Sequence, residues 1–140
     1  MDEIEIRNTV NWMLTNKNMM RMIVSVNEII MKGAVETSER TEQGGEEVRV
    51  LRLPKRVEIS YSDLSPYITQ YYKKDFANTL EYIGVASLRY DEKGMLHKAT
   101  ISISSVEFLN LFRKHIDDIT ERLRNITVGK RSYEQRRPVA

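Results

Sequence analysis

His97 and His115 are the side chains best suited to moving a proton near neutral pH or to holding a metal. They stand far apart in the chain, and no carboxylates accompany them at metal-ligand spacing. Cysteine is absent, which removes thiolate ligands, a thiol nucleophile and disulfides. Asp117-Asp118 pairs two carboxylates, but on the outer side of a helical pattern, where they read as solvating charge. No glycine-rich phosphate loop, nucleophile elbow or HExxH motif occurs. The residue types therefore predict no catalytic site, no metal and no cofactor, and point away from an enzyme.

What remains is binding chemistry. Tyrosines gather between Tyr61 and Tyr90: Tyr61, Tyr67, Tyr71, Tyr72, Tyr82 and Tyr90. Tyrosines beside basic residues form stacking platforms for single-stranded nucleic acid. They also fill cores and rims with their hydroxyls in water, and helical spacing alone accounts for Tyr67 and Tyr71. Met13, Met19, Met20, Met22 and Met31, with Trp12 nearby, offer an adaptable apolar surface. That surface reads as core, as a dimer interface or as a small-ligand pocket. The chain ends in a basic stretch with Lys130, Arg131, Arg136 and Arg137. Basic ends add salt-sensitive affinity for phosphate, and they also serve simply to solubilise.

Composition sets the limits. The chain has 140 residues, enough for one domain with a working core. Net charge is only +2, so a nucleic-acid footprint must come from local clustering, not a global field. No apolar run reaches membrane-spanning length. Asp2, Glu3 and Glu5 lack the chemistry of a signal or transit peptide, so a cytoplasmic protein without membrane contact is expected.

These residues need elements to position them. Residues 3–33 read as helical, with apolar stripes at Ile4, Ile6, Val10, Met13, Leu14 and again from Met19 to Met31. Asn16-Lys17-Asn18 is either a break between two helices or the polar side of one, and Gly33 is a natural stop. Residues 34–47 read as a mobile polar loop. Val48–Leu53 and Val57–Ile59 alternate like strands on either side of Pro54. A helix is expected from Ser62 or Ser65, with Pro66 in its first turn and Leu64, Tyr67, Ile68 and Tyr71 on one face. A second helix, over 73–84, buries Phe76, Leu80 and Ile83 and stops at Gly84. Residues 85–104 form a hairpin turning at Asp91-Glu92-Lys93-Gly94, with Ala99, Ile101 and Ile103 inward. A last helix, capped by Ser104 or Ser105, covers 105–126. The remaining residues, 127–140, read as a flexible basic tail.

The run VEISYSDLSPYITQYYKKDFANTLEYIGVASLRYDEKGMLHKATISIS, and within it Leu80-Glu81-Tyr82-Ile83-Gly84-Val85, resembles the winged helix-turn-helix family of DNA-binding domains. The resemblance covers about a third of the chain and rests on residue type and spacing. It implies an α+β fold: one winged-helix domain over 1–126, with an N-terminal helical region and a long C-terminal dimerisation helix. It also implies that residues 73–84 enter the major groove. Lys73 and Lys74 then suit phosphates, Asn78 suits adenine, and Thr79 suits a phosphate or a thymine methyl. Arg89, Lys93, His97 and Lys98 decorate the wing, and Lys130 and Arg131 the tail.

Leu109, Phe112, Ile116, Ile119 and Leu123, with Val106 and Ile126, recur at three- and four-residue steps, the pattern of a coiled-coil seam. The expectation is a homodimeric transcriptional regulator that reads a palindromic duplex site. Asp75, Glu81, Asp91 and Glu92 intrude where phosphate would lie. They favour a second reading, a module docking on a protein partner in replication, transcription or a virion. A single-strand binder using the tyrosines is a third.

Overall fold

The structure, a computed structural model, describes residues 2–40, 44–65, 68–90 and 100–135, with side chains described as far as residue 126. It is α+β, with helices and two small antiparallel sheets.

The N-terminal region forms two helices, α1 (Glu3–Met13) and α2 (Lys17–Lys32). Asp2 caps α1 by accepting from the Glu5 amide at 2.8 Å, and Glu3 and Glu5 suit the positive end of the helix dipole. Asn16 decides the break. Its backbone is extended, and its side-chain oxygen accepts from the amides of Asn18 and Met19 at 3.0 and 3.1 Å, so α2 starts afresh there. Met19, Met20, Met22, Ile23, Val26 and Ile30 are all buried, which seats α2 at the centre of the molecule. With Met13 they place four of the five methionines singled out above in the core, whereas Met31 is exposed.

The segment expected to be a mobile loop instead contains a strand. β1 (Val35–Arg40) pairs antiparallel with β2 (Glu47–Arg52), in the register Val35↔Arg52 to Arg40↔Glu47. The ribbon is exposed on both faces. The backbone ladder holds it, and two exposed ion pairs cross it, Arg49 with Glu36 at 3.4 Å and Arg52 with Glu39. Its base returns to the core through Pro54, whose ring lies so near Gly33 that a Cβ there would sit 3.1 Å from it.

The second sheet contains β3 (Arg56–Ile59), β4 (Ala86–Arg89) and β5 (Thr100–Ser104), in the order β3-β5-β4. Val57↔Ile103↔Ala86 and Ile59↔Ile101↔Leu88 align across it, so one face is apolar and packs inward. The inward Ile101 and Ile103 expected of the hairpin are found, both fully buried. On the opposite face Arg56 covers Ser102, donating to its Oγ at 2.9 Å and its carbonyl at 3.0 Å. The expected Asp91–Gly94 turn and Ala99 lie outside the described residues.

Between β3 and the next helix the sequence expectation fails. Instead of a helix from Ser62 or Ser65, a single 3-10 turn spans Tyr61–Asp63. Asp63 reaches back to the Ser60 amide at 2.7 Å, and Leu64 leaves the turn extended with ψ 165°. A short polar side chain bonding its local backbone competes with helix, and Ser65 before proline disfavours it further. Leu64 and Ile68 are still buried and anchor the link. Pro66 and Tyr67 lie outside the described residues. α3 (Gln70–Tyr82) therefore starts earlier than expected and takes in Tyr71 and Tyr72.

The last helix is also divided. α4 (Ser105–Phe112) is capped by Ser104, which accepts from the Glu107 amide at 3.4 Å. A 3-10 turn over Arg113–His115 leads into α5 (Ile116–Gln135). The backbone of α5 runs through most of the segment read as a flexible tail. Arg122 ties α5 to the end of α1, donating to the Leu14 carbonyl at 3.2 Å while pairing with Asp118 at 3.0 Å. Buried side chains from Val10 to Ile119 form one core cluster.

Candidate nucleic-acid interface

α3 carries the candidate site, and its ends explain its position. Ile83 is its C-cap and Gly84 follows with φ +80°, the left-handed conformation that favours glycine. The Val85 amide bonds the Leu80 carbonyl at 2.9 Å and the Gly84 amide bonds that of Glu81 at 3.0 Å. This is the Schellman pattern, and its accompanying apolar contact pairs Leu80 with Val85, both buried. Leu80-Glu81-Tyr82-Ile83-Gly84-Val85 is thus a helix stop that hands the chain directly to β4. Glu81 adds a second tie by accepting from the Leu88 amide at 3.3 Å on that edge strand.

The inward face of α3 is Lys73, Phe76, Ala77 and Leu80, continued by Ile83. Lys73, expected at the surface, is only 4% exposed, because it lies three residues before Phe76 and seven before Leu80. Its aliphatic stem belongs to the core, as long cationic side chains permit when the head alone reaches water. It leaves the set of outward contacts.

The outward face contains Lys74 and Asn78, one helical turn apart and both exposed. Thr79 is half-buried, and its hydroxyl donates to the Asp75 carbonyl at 2.7 Å, within its own helix. Tyr71 and Tyr82 flank the polar pair, at 75% and 59% exposure, and Tyr72 meets Tyr71 edge-on at 5.6 Å between ring centroids. These aromatics complete the face at 71, 74, 78 and 82. The sequence held that signal, but assigning Tyr71 to an earlier helix concealed it. Charge on the face is net negative: Lys74 is set against two carboxylates, Glu81 and the half-buried Asp75.

Arg89 ends β4 exposed, 4.0 Å from Glu58. Lys93, His97 and Lys98 lie outside the described residues, as do the side chains of Lys130 and Arg131 and all of 136–140. Of the residues expected to contact DNA, Lys74, Asn78 and Thr79 thus lie on α3, and Arg89 lies on the following strand, beside Glu58.

Of the five residues read as a dimer seam, two are taken up inside the chain itself. Phe112 and Ile119 are buried in the chain's own core, and Phe112 packs against Phe108 at 4.9 Å. Leu109, Ile116 and Leu123 are half-buried against the same core. The three- and four-residue steps mark the face that α4 and α5 turn toward the protein interior, as such spacing does in any amphipathic helix.

Among the described residues two groups have perturbed titration. Burial, aided by nearby Tyr90, pushes the Tyr61 hydroxyl up to about 12, and that hydroxyl has no hydrogen-bond partner among the described residues. Burial, then Lys114, holds His115 below its ordinary value, against the opposing pull of Asp118. Among the described residues no three His, Asp or Glu side chains group where a metal could sit, and no helix is long and apolar enough to cross a membrane. No family model, curated protein or solved structure matches the chain.

Proposed function

We propose that the domain is a variant winged-helix regulator, with the Tyr61–Asp63 3-10 turn standing where the first helix of the helix-turn-helix is expected, and that it binds duplex DNA through the outward face of α3. The observation that carries this reading is topological. α3 leaves the β3 side of the sheet, stops at Gly84, and feeds a β4–β5 hairpin in a sheet of order β3-β5-β4. That order leaves a helix rigidly backed by Phe76 and Leu80, with Lys74 and Asn78 free to meet a groove. Lys74 supplies the phosphate contact, Asn78 the base contact and Arg89 a backbone contact from the hairpin. A palindromic site calls for two copies, and these would have to meet through residues other than Phe112 and Ile119.

The test is fluorescence polarisation of labelled duplexes at several salt concentrations, with single-stranded competitors. The reading expects duplex affinity whose logarithm falls linearly with the logarithm of salt. Absence of binding at low salt refutes it, and preference for single strands moves the function to the tyrosines.

A second reading, a module docking on a protein partner, draws support from the same face. Tyr71, Tyr72 and Tyr82 are exposed around a centre with one cation and two carboxylates, and exposed tyrosines are enriched where proteins meet. A partner captured by the wild type and lost on Tyr82→Ala, with no DNA affinity, decides for it.

A further inference from the structure

α1 and the junction of α4 with the following 3-10 turn border an open cleft of about 480 Å³. Its apolar lining comes from Ile6, Val10 and Leu111, which are half-buried or buried. Two exposed cations, Arg7 and Lys114, border it from opposite elements, and neither forms an ion pair among the described residues. Glu3 is the one carboxylate in the lining, and it lies in the first turn of α1, where the helix dipole already favours its charge. Asn11 and Asn110 add amide groups able to donate as well as accept.

This combination has a chemical meaning. The volume lies within the range of small-molecule sites, which pair an apolar lining with a few convergent polar groups. A surface that serves only solubility has no need to gather two unpaired cations over apolar side chains. An anionic head between Arg7 and Lys114 gains charge-assisted hydrogen bonds, the guanidinium offering a two-pronged fit to a carboxylate. A chain or ring attached to that head covers Ile6, Val10 and Leu111 and removes them from water.

We infer that this cleft binds a small carboxylate with an apolar body. Such a ligand joins α1 to the α4–α5 junction, two elements distant in sequence. Because it binds the folded chain only, it raises thermal stability. The inference does not depend on what α3 binds.

Isothermal titration calorimetry of the full chain with octanoate tests it, with octylammonium and 1-octanol as charge-reversed and neutral controls. The expected result is saturable one-to-one binding of octanoate and a rise in Tm, with both controls weaker by about tenfold or more. Arg7→Ala with Lys114→Ala reduces octanoate affinity by a similar factor while the circular dichroism spectrum is unchanged. Leu111→Asn, at a half-buried position, weakens octanoate and 1-octanol together. Equal affinity for octylammonium, an unchanged affinity in the double variant, or no saturable binding at millimolar octanoate overturns the inference.

Discussion

Lys73 and Lys74 are neighbours of one residue type, and the structure assigns them opposite roles that single alanine substitutions separate. Lys73 is buried on the face that holds Phe76 and Leu80, while Lys74 is exposed beside Asn78. Lys73→Ala removes three methylenes from a covered position. At about 0.8 kcal/mol each, less the relief of no longer holding an ammonium near the core, the loss is about 1–2 kcal/mol. In a chain of this size that lowers Tm by roughly 3–8 °C. Lys74→Ala changes stability by no more than about 0.5 kcal/mol. On duplex DNA the order reverses. Loss of one phosphate contact at Lys74 lowers affinity and makes the slope of log affinity against log salt shallower by about 0.9. Lys73→Ala, assayed well below its own Tm, leaves that slope unchanged. The assays are thermal unfolding by circular dichroism and polarisation titrations at four salt concentrations. A Lys73 variant with wild-type Tm and a shallower slope would refute the burial of that face. A Lys74 variant with wild-type slope would refute its contact with phosphate.

Further outcomes follow from the same geometry. Asn16→Ala removes an acceptor shared by two amides and costs about 1 kcal/mol, read as a lower midpoint in urea with unchanged m. Phe112→Ala empties a fully buried site beside Phe108 and costs about 3–5 kcal/mol. Its sedimentation coefficient stays that of the folded wild type, whereas a residue of a dimer seam would shift it. The His115 pKa is lowered on folding, so the unfolded chain takes up that proton first as pH falls below about 6.5. Stability from this group is therefore present above that pH and is lost as pH drops through the folded value. His115→Gln flattens this part of the profile between pH 7 and 5 in urea titrations. Tyr61 titrates at about 12, above the ordinary tyrosine value, in an absorbance titration at alkaline pH, and Tyr61→Phe removes that component.

Where residues were legible in the sequence, one local interaction usually outweighed the rest. The stop at Gly84 was readable because a helix followed at once by a strand needs a left-handed residue there, flanked by apolar Leu80 and Val85. Ile101 and Ile103 were readable because only a half-buried strand alternates in that way. β1 was not, since Val35–Arg40 is mostly polar and exists through its backbone pairing with β2. The helix expected from Ser62 or Ser65 lost to the Ser60–Asp63 bonds, a local alternative that a count of apolar spacing does not weigh. Lys73 was assigned by charge where its helical position placed it inward. The α4–α5 stripe shows a general ambiguity: spacing identifies a buried face without saying what buries it. In this chain α2 and the rest of the core do so, leaving Val106 and Ile126 exposed at the two ends of the stripe.

The most direct test of the central claim is a backbone amide NMR titration of the full chain with a short mixed-sequence duplex at low salt. The account predicts that the amides of Lys74, Asn78, Thr79 and Arg89 shift together and saturably, that Lys74→Ala with Asn78→Ala abolishes those shifts, and that Phe76 and Leu80 respond weakly. Saturable shifts confined to other elements, or none at all, would contradict it.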